Sequence, residues 1–408
     1  MTTRTAHDPW EPLRDKGFAA FFVAASISNA ASWMQLVAVS SILYDLTRST
    51  TWLGLSTVAS LMPAVILTPF AGVLADRVSR RTILLVTQMV QMAAAFTIWW
   101  AYRTDSLTPW RIIGVGFVTG ITVGFQTAAW QTFVPLLVPD AMLTKAVQLN
   151  SMQYTLARAL GPAAAGWTVH RWGNGAAIFS NAVTYPLVIA VLVFANPRAN
   201  STASSTTSVA KAFADGAKHV WANSKLRFAV CLATVMALCG QSLQYLAAGV
   251  SVRILHHPSK DNGTLLVGLG VGAVIGSMIA TNAGDHWRRA TRLLIAIGLY
   301  ILMTTVLIVS SNFTLAMFAF GLGGAAHFIM SAMFNTLIQT GVPDELRGRA
   351  LSFYFVGILG GIPIGAQILG KLADVFTIRI ALAIDLTVLL SLFVWLTASG
   401  AARKLDAS

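Results

Sequence analysis

Long apolar segments alternate with short polar ones along almost the whole chain. Stretches without Asp, Glu, Lys or Arg run over 17–44, 49–75, 82–102, 112–139, 172–197, 228–252, 262–284, 293–343 and 350–370. A helix that crosses a bilayer needs about 20 apolar residues, because the hydrocarbon core is about 30 Å thick and each residue rises about 1.5 Å. Most of these stretches therefore predict one transmembrane helix each.

One segment is too long for a single crossing, and two further segments qualify although each carries a charge. The stretch 293–343 breaks at Ser310-Ser311-Asn312, which predicts two helices. The two further crossings are about 146–170, with Arg158, and about 378–400, with Asp385. Strands of a membrane barrel would be about 10 residues long and strictly alternating, and the chain lacks such a pattern. The sequence thus predicts an all-α membrane protein with twelve transmembrane helices.

The amino-acid composition supports a membrane protein and argues against several other classes. Of the 408 residues, 56% are hydrophobic and only 11% are charged, which is too little charge to cover the surface of a soluble protein of this length. The net charge of +13 lies in short segments between the apolar runs, so we expect no nucleic-acid partner. The two cysteines stand close together in one apolar run, so we expect no disulfide, metal site or cofactor.

The distribution of Lys and Arg predicts the orientation in the membrane. An even number of crossings puts both termini on one side. If that side is the cytoplasm, it holds 19 Lys and Arg residues against 8 on the opposite side, with Arg158 inside the membrane. Because positively charged loops stay in the cytoplasm, we expect a multi-pass protein of the cell's inner membrane with both termini cytoplasmic.

A polar segment near the middle divides the chain. It joins a Ser/Thr-rich linker to a short amphipathic stretch that is expected to lie on the membrane surface. The predicted units are a cytoplasmic tail over 1–16, a six-helix bundle over 17–197, a cytoplasmic linker over 198–224, a second six-helix bundle over 225–400 and a cytoplasmic tail over 401–408.

The two predicted bundles carry an internal repeat. A shift of the chain against itself by 204 residues aligns Val138-Pro139-Asp140 with Val342-Pro343-Asp344, Gly161 with Gly365, Gly166 with Gly370, and Asn181 with Asp385. Apolar matches alone would carry no weight, since any two membrane helices share Leu and Ala. The tripeptide with collinear glycines indicates two parallel repeats of six helices, an arrangement typical of transporters.

Two segments carry residue types with a readable physical role. The first predicted cytoplasmic hairpin is Gly72-Val-Leu-Ala-Asp76-Arg77-Val-Ser-Arg80-Arg81; its Asp76 can accept hydrogen bonds from the N–H groups at a helix start. The predicted fifth helix contains Arg158-Ala-Leu-Gly161-Pro162-Ala-Ala-Ala-Gly166. There Pro162 removes a backbone hydrogen bond and bends the helix, and the glycines permit close packing against the other half.

Both segments resemble the major facilitator superfamily. The hairpin resembles the signature loop between helices two and three of that superfamily, and the fifth-helix segment is similar to the Gly-Pro motif of its antiporters. With Tyr44-Asp45-Leu-Thr47-Arg-Ser49 and Val342-Pro343-Asp344-Glu345-Leu-Arg347-Gly348-Arg349, they are most similar to the branch that holds the enterobactin exporter and the macrolide-efflux proteins.

The resemblance implies a fold and a set of functional residues. The fold consists of two pseudo-symmetric six-helix bundles with the substrate between them. The signature loop latches the bundles together on the cytoplasmic side through Asp76, Arg77, Arg80 and Arg81. The central cavity of this fold is lined by helices one, four, seven and ten, whose polar and aromatic residues are here Asn29, Ser32, Trp33, Gln126, Trp130, Gln241, Gln244, Tyr245, His327 and Asn335.

Each of these cavity residues has a structural alternative, namely a hydrogen bond between helices. The same holds for the ionisable residues at membrane depth, which are costly there and hence candidates for function. Arg158 could hold an anionic substrate, form a gating ion pair or bond helix-end carbonyls. His327 could bind a proton or act as a neutral packing partner. Asp385 could take part in coupling or in a structural pairing.

A cavity of amides, aromatic rings and one or two ionisable groups suits a moderately sized amphipathic organic solute. We therefore expect a monomeric secondary transporter, and not an enzyme, that exports such molecules by proton-coupled antiport with alternating access. Uptake by symport or facilitated diffusion, and movement of lysolipids, remain alternatives on the same fold. The predicted fourth helix carries its arginine, Arg111, at the outer end, whereas many proton-coupled members of the superfamily carry one well inside that helix.

Overall fold

The architecture is described from a computed structural model. The structure describes residue 8 and residues 10–195, 217–218, 220–283, 287–340, 342 and 344–406. Within these ranges, the side chains at 68–77, 128, 283, 339–340, 344–352 and 404 are not described.

The described residues form twelve long helices. These are Lys16–Thr47 (α1), Thr50–Arg77 (α2), Arg80–Arg103 (α3), Pro109–Phe133 (α4), Leu143–Trp172 (α5), Asn174–Phe194 (α6), Ser224–Arg253 (α7), Asn262–Ala283 (α8), Arg289–Val309 (α9), Phe313–Thr340 (α10), Asp344–Val375 (α11) and Ile378–Ala398 (α12). The helices match the predicted crossings, including the break at Ser310-Ser311-Asn312. The prediction of an all-α protein with twelve membrane helices is therefore confirmed within the described part of the chain.

Eleven of the helices in the described part of the chain are long and apolar enough to cross a membrane. The remaining one is α5, which is 30 residues long but carries several polar and charged residues besides Arg158. A polar helix is stable inside a membrane protein when its polar face is turned toward other helices and away from lipid. The composition of α5 therefore marks it as a helix of the interior seam.

The two halves of the chain have the same internal packing. In the first half, α5 and α6 pack against α1, α4 packs against α2 and α3, and α6 packs against α3. The second half repeats this pattern, since α11 packs against α7, α10 against α8 and α9, and α12 against α9. This correspondence confirms two pseudo-symmetric six-helix bundles.

The halves meet along two seams, α2 with α11 and α5 with α8. Glycines make both crossings close. A Cβ at Gly54 of α2 would lie 2.7 Å from the carbonyl oxygen of Ala366, and a Cβ at Gly270 of α8 would lie 2.5 Å from the Cα of Ala159. Because these contacts are to backbone atoms, no side chain can move aside, and only glycine allows the two pairs of helices to approach this closely.

The helix α7 is not regular, which the sequence pattern did not predict. Its first part, Ser224–Met236, is α-helical; a π-helical turn follows at Ala237–Gln241, then a 3₁₀ segment at Ser242–Leu246, and the α-helix resumes at Ala247–Arg253. π-helical turns frequently occur at functional sites. In this chain the irregular segment contains three of the predicted cavity residues, Gln241, Gln244 and Tyr245.

The predicted fourth helix ends at Phe133, earlier than expected, because a 3₁₀ segment with Pro135 follows at Val134–Leu137.

Both tails are held by the bundle where they are described. Glu11 of the N-terminal tail forms an ion pair with Lys145 at the start of α5. The predicted C-terminal tail contains a 3₁₀ turn, Ala401–Leu405, and Asp406 accepts a hydrogen bond from the N–H of Ala290 at 3.1 Å.

Candidate functional site

The side chain of Arg158 lies between the two halves near the middle of α5. One terminal nitrogen donates a hydrogen bond of 3.1 Å to the side-chain oxygen of Gln244 in α7. The centre of the guanidinium lies 5.5 Å from the ring centroid of Trp33 in α1 and 5.9 Å from that of Phe328 in α10. A cation over two aromatic faces is held by the ring quadrupoles. Arg158 thus contacts both halves at the centre of the molecule.

Several polar atoms around Arg158 are buried without a protein partner among the described residues. They are the Nε atom of Arg158 itself, the side-chain nitrogen of Gln241, the Nδ1 atom of His327 and the hydroxyl of Tyr300. Gln241 is only 4% exposed. Buried polar groups are nearly always hydrogen-bonded. Unpaired polar atoms on Arg158 and on residues of the second half close to it are therefore the feature expected of a site that receives a polar ligand.

The structure brings some predicted site residues together and keeps others apart. Arg158, Trp33, Gln244, Tyr245 and His327 form one central group, in which Tyr245 and His327 lie within electrostatic range of the Arg158 charge. Asn335 lies about two turns further along α10 from His327. Of the roles predicted for Arg158, namely holding an anionic substrate, forming a gating ion pair or bonding helix-end carbonyls, its position beside the predicted substrate-binding residues favours the first.

The predicted cavity residues of α1 and α4 are bound within the first half. The side-chain nitrogen of Asn29 donates to Gln153 of α5 at 3.2 Å, and the hydroxyl of Ser32 donates to Asn181 of α6 at 3.2 Å. Gln126 pairs with Gln91 of α3, and Trp130 donates to Asn150 of α5 at 3.2 Å. These contacts correspond to the structural alternative, hydrogen bonds between helices. Ser32 is nevertheless exposed halfway along α1.

Asp385 is buried in the second half, on the far side of the irregular segment of α7. Its carboxyl pairs with the thiol of Cys239, which lies in the π-helical turn. The same turn contains Gly240, where a Cβ would lie 2.6 Å from the ring of Tyr300 in α9. The phenol of Tyr300 is within electrostatic range of both Arg158 and Asp385. Cys239 of the π-helical turn and Tyr300 thus connect Asp385 with the central group.

The residues of the signature loop are only partly described. The loop lies between α2 and α3, and the side chains of Asp76 and Arg77 are outside the described residues. Arg81 donates to the backbone carbonyl of Val193 at the end of α6. The described partner of Arg81 thus belongs to its own half, whereas the resemblance implies a latch to the other half. The Nε atom of Arg80 is buried without a partner among the described residues.

The Gly-Pro motif packs only in part as predicted. A Cβ at Gly161 would lie 2.5 Å from the Cβ of Trp33 and 2.8 Å from the carbonyl oxygen of Ala30. Gly161 therefore allows close packing against α1 of its own half, and the expectation that it packs against the other half was wrong. Across the seam, a Cβ at Gly263 of α8 would lie 3.3 Å from the carbonyl oxygen of Pro162 and 3.4 Å from the Cα of Gly166, so Gly166 packs against the other half as predicted. The helix is continuous through Pro162.

A polar cluster closes one end of the seam between the halves. We call the end where α1 begins at Lys16 the proximal end, and the end where α1 ends at Thr47 the distal end. At the distal end Asp374 of α11 accepts hydrogen bonds from the start of α2: from the N–H of Thr50 at 3.0 Å, the hydroxyl of Thr50 at 2.8 Å and the N–H of Thr51 at 2.8 Å. The hydroxyl of Ser49 donates to the same carboxylate.

Arg253, at the end of α7, completes this cluster. Its guanidinium lies 2.8 Å from Asp374 and donates to the hydroxyl of Tyr44 at 2.9 Å and to the carbonyl oxygen of Arg48 at 2.6 Å. Hydrogen bonds to charged groups contribute about 1.5–3 kcal/mol each. Asp374 and Arg253, with Tyr44, Arg48 and residues 49–51, are called the distal seal below.

A second group joins the halves at the same end, between α1 and the start of α8. The hydroxyl of Ser259 donates to Asp45 at 2.7 Å and lies 2.8 Å from the hydroxyl of Ser41. The side-chain nitrogen of Asn262 donates to the carbonyl oxygen of Val37 at 3.3 Å. Neither group was predicted from the sequence. For the first group the sequence did contain a signal: an acidic residue, Asp374, near the end of the predicted eleventh helix, and the donor-rich segment Ser49-Thr50-Thr51 at the start of the second.

Comparisons with known proteins agree with this architecture. A family model described as transmembrane secretion effector matches residues 7–407. The uncharacterised MFS-type transporter YfiS of Bacillus subtilis is 24% identical over 352 residues, which are 82% of this chain and 81% of that protein. Macrolide efflux protein A of Streptococcus pyogenes is 20% identical over 361 residues, which are 88% of this chain and 89% of that protein.

Solved structures show the same fold. A mutant of the nucleoside transporter NupG superposes with a TM-score of 0.81 at 10% identity, over 94% of this chain and 99% of that chain. At this identity the likeness concerns the fold alone. The family match covers nearly the whole chain, and the fold, the pseudo-symmetry and the seam between the halves all agree with it. The chain therefore belongs to the transmembrane secretion effector family of the major facilitator superfamily, and it is a multi-pass membrane transporter and not an enzyme.

Proposed function

We propose that this transporter exports amphipathic small molecules from the cell, as a monomer in the cytoplasmic membrane, in exchange for protons. The observation that carries the proposal is the position of Arg158, which contacts α1, α7 and α10 at the junction of the two halves. A group held by both halves experiences different surroundings in each arrangement of the halves. This is the requirement for a substrate site in alternating access.

The relatives support the direction of transport. The Streptococcus pyogenes relative is named for macrolide efflux and is similar to this chain over most of its length. The surplus of Lys and Arg in the loops of the proximal end favours a cytoplasmic position for that end and for both termini. In that orientation the distal seal faces the outside. Closure of the distal end then corresponds to the state that receives substrate from the cell interior.

Two ionisable residues near the central site are the candidates for proton coupling. His327 lies within electrostatic range of Arg158, and Asp385 is buried behind the π-helical turn of α7. A proton that enters either residue changes the charge beside a segment that carries Gln241 and Gln244. Export would follow if protonation and substrate occupancy favour opposite arrangements of the two halves.

Transport into inverted membrane vesicles tests this proposal. A panel of fluorescent amphipathic drugs is supplied outside the vesicles with and without an imposed pH gradient, acidic inside. We expect accumulation of at least part of the panel that depends on the gradient and on the protein. Equal accumulation with and without the pH gradient would contradict antiport. Protein-dependent accumulation in right-side-out vesicles, and none in inverted ones, would contradict export in favour of uptake.

A further inference from the structure

The polar groups at the central site are mostly hydrogen-bond donors. A guanidinium carries five N–H donors and no acceptor, and in the described structure Arg158 makes one hydrogen bond, to the neutral side chain of Gln244. Gln241 adds a buried side-chain nitrogen, and Tyr300 adds a buried hydroxyl, both without a partner among the described residues. A ligand group that accepts several hydrogen bonds would therefore complement these donors.

The charge at the site is also uncompensated within the described part of the chain. No described carboxylate lies within 4.0 Å of a nitrogen of Arg158. The buried carboxyl of Asp385 faces Cys239, and the Tyr300 phenol lies within electrostatic range of both Asp385 and Arg158. A cation inside a membrane protein is costly unless an opposite charge or acceptors surround it. A negatively charged ligand would supply both.

Aromatic rings define what surrounds the charged group. The guanidinium lies over the rings of Trp33 and Phe328, which come from opposite halves. The ring of His327 lies 5.4 Å from that of Phe328 in an edge-on arrangement. Flat apolar surfaces on two sides of a cation favour a ligand with an aromatic body, because ring stacking and burial of apolar area then add to the ionic contact.

We propose that the central site binds organic anions, with a carboxylate on the guanidinium of Arg158 and an aromatic body between Trp33 and Phe328. This inference rests on the proposed function, because it names the substrate class of the same site. Gln244, which accepts a hydrogen bond from the guanidinium, then offers its side-chain N–H groups to the same carboxylate.

Binding to the purified full-length protein in detergent tests this inference without any gradient. The probes are naphthoate, naphthamide and naphthylmethylammonium, which share one ring system and differ in charge. Affinities are measured by equilibrium dialysis at neutral pH. We expect naphthoate to bind about 10- to 100-fold more tightly than the other two, which is the effect of a hydrogen bond between charged groups. Equal affinities, or a preference for the cation, would overturn the inference.

Variants locate the charge preference. Arg158→Gln should remove the preference for the charged probe, so that naphthoate and naphthamide bind with about equal affinity. Arg158→Lys keeps the charge but lacks the planar fork of donors, so it should retain part of the preference. The matched control is Arg171→Gln, which removes an exposed arginine from the distal end of the same helix. A full preference in Arg158→Gln, or its loss in Arg171→Gln, would contradict the proposed site.

Two further measurements are needed. A lipid probe distinguishes a soluble aromatic acid from a lipid as the ligand, and the vesicle assay tests the direction of transport separately from the substrate class. Because the wild-type preference is measured first, a variant that fails to fold does not remove the test. Lysophosphatidylglycerol is added as an anionic lipid probe, and tighter binding of this lipid than of naphthoate would overturn a soluble aromatic acid as the substrate. The vesicle assay reports on export and coupling, so gradient-driven transport of other compounds without any preference for naphthoate would refute the substrate class alone.

Discussion

The carboxylate of Asp374 accepts both the backbone N–H and the hydroxyl of Thr50, at 3.0 Å and 2.8 Å, and so caps the N-terminus of α2 from the opposite half of the molecule. A helix cap normally comes from the residue that precedes the helix. Here the capping residue lies 324 positions away along the chain. The first N–H groups of α2 are therefore satisfied by Asp374 only while the distal end is closed. Separation of the halves there must break the cap.

Substitution of Asp374 should favour opening of the distal end. Asp374→Asn keeps the shape of the side chain but removes the negative charge that Arg253 and the start of α2 share. Loss of a charged hydrogen bond costs about 1.5–3 kcal/mol, so we expect the balance between closed and open states to change by about tenfold or more. Spin labels at Trp172→Cys and Ser310→Cys, in a background without Cys231 and Cys239, report the distance across the distal end.

The matched control for the distal seal is Asp105→Asn. Asp105 is an exposed acid in the loop between α3 and α4, also at the distal end. This control should leave the label distance as in the parent protein. An unchanged distance distribution in Asp374→Asn would show that the seal does not hold the distal end closed.

A pair of glycine variants tests the close crossing of α5 and α8. Gly270→Ala should destabilise the protein by about 1–3 kcal/mol, because the new Cβ meets the backbone of Ala159 and the helices must separate. Gly298→Ala in α9 is the matched control, since no atom outside its own helix segment lies within 4 Å of the added Cβ. It should be neutral or slightly stabilising, because glycine is a poor helix former. Thermal unfolding in detergent compares the two, and equal midpoints would contradict the close crossing.

Neutralisation of Asp385 should uncouple transport from the pH gradient. Asp385→Asn removes the titratable carboxyl next to Cys239 but keeps a side chain that can still hydrogen-bond to the thiol. We expect vesicles with this variant to equilibrate substrate without accumulating it, and Asp105→Asn to accumulate it normally. If Asp385 instead serves only in structural pairing, the variant should lower the unfolding midpoint and still accumulate substrate against the gradient.

The signature loop yields a prediction that rests on the sequence resemblance. Asp76→Ala should slow transport several-fold while the protein still inserts and purifies as the parent does, because the resemblance implies that Asp76 latches the two halves. Asp140→Ala is the control, since Asp140 is an exposed acid in the next loop at the proximal end. Initial transport rates in vesicles, normalised to the amount of protein, compare the two. Rates unchanged by Asp76→Ala would count against the latch.

The number and approximate positions of the membrane helices could be predicted from the sequence. The reason is that the bilayer acts as a solvent with a fixed thickness, so each crossing must be a run of apolar residues long enough to satisfy its own backbone. The break at Ser310-Ser311-Asn312 and the polar crossing around Arg158 were both recognisable in this way. The repeat was recognisable too, because Gly161 and Gly365 pack equivalently against the first helix of their own halves.

The site and the distal seal were decided by tertiary structure. Whether Asn29 bonds Gln153 or lines a cavity depends on the rotation of α1 against α5, which composition does not encode. The cap of α2 by Asp374 and the central position of Arg158 require segments far apart in the chain to meet in one register. The π-helical turn at Ala237–Gln241 is likewise absent from the hydrophobic pattern. An apolar run determines that a helix crosses the membrane, but only packing against its neighbours determines which of its residues face each other.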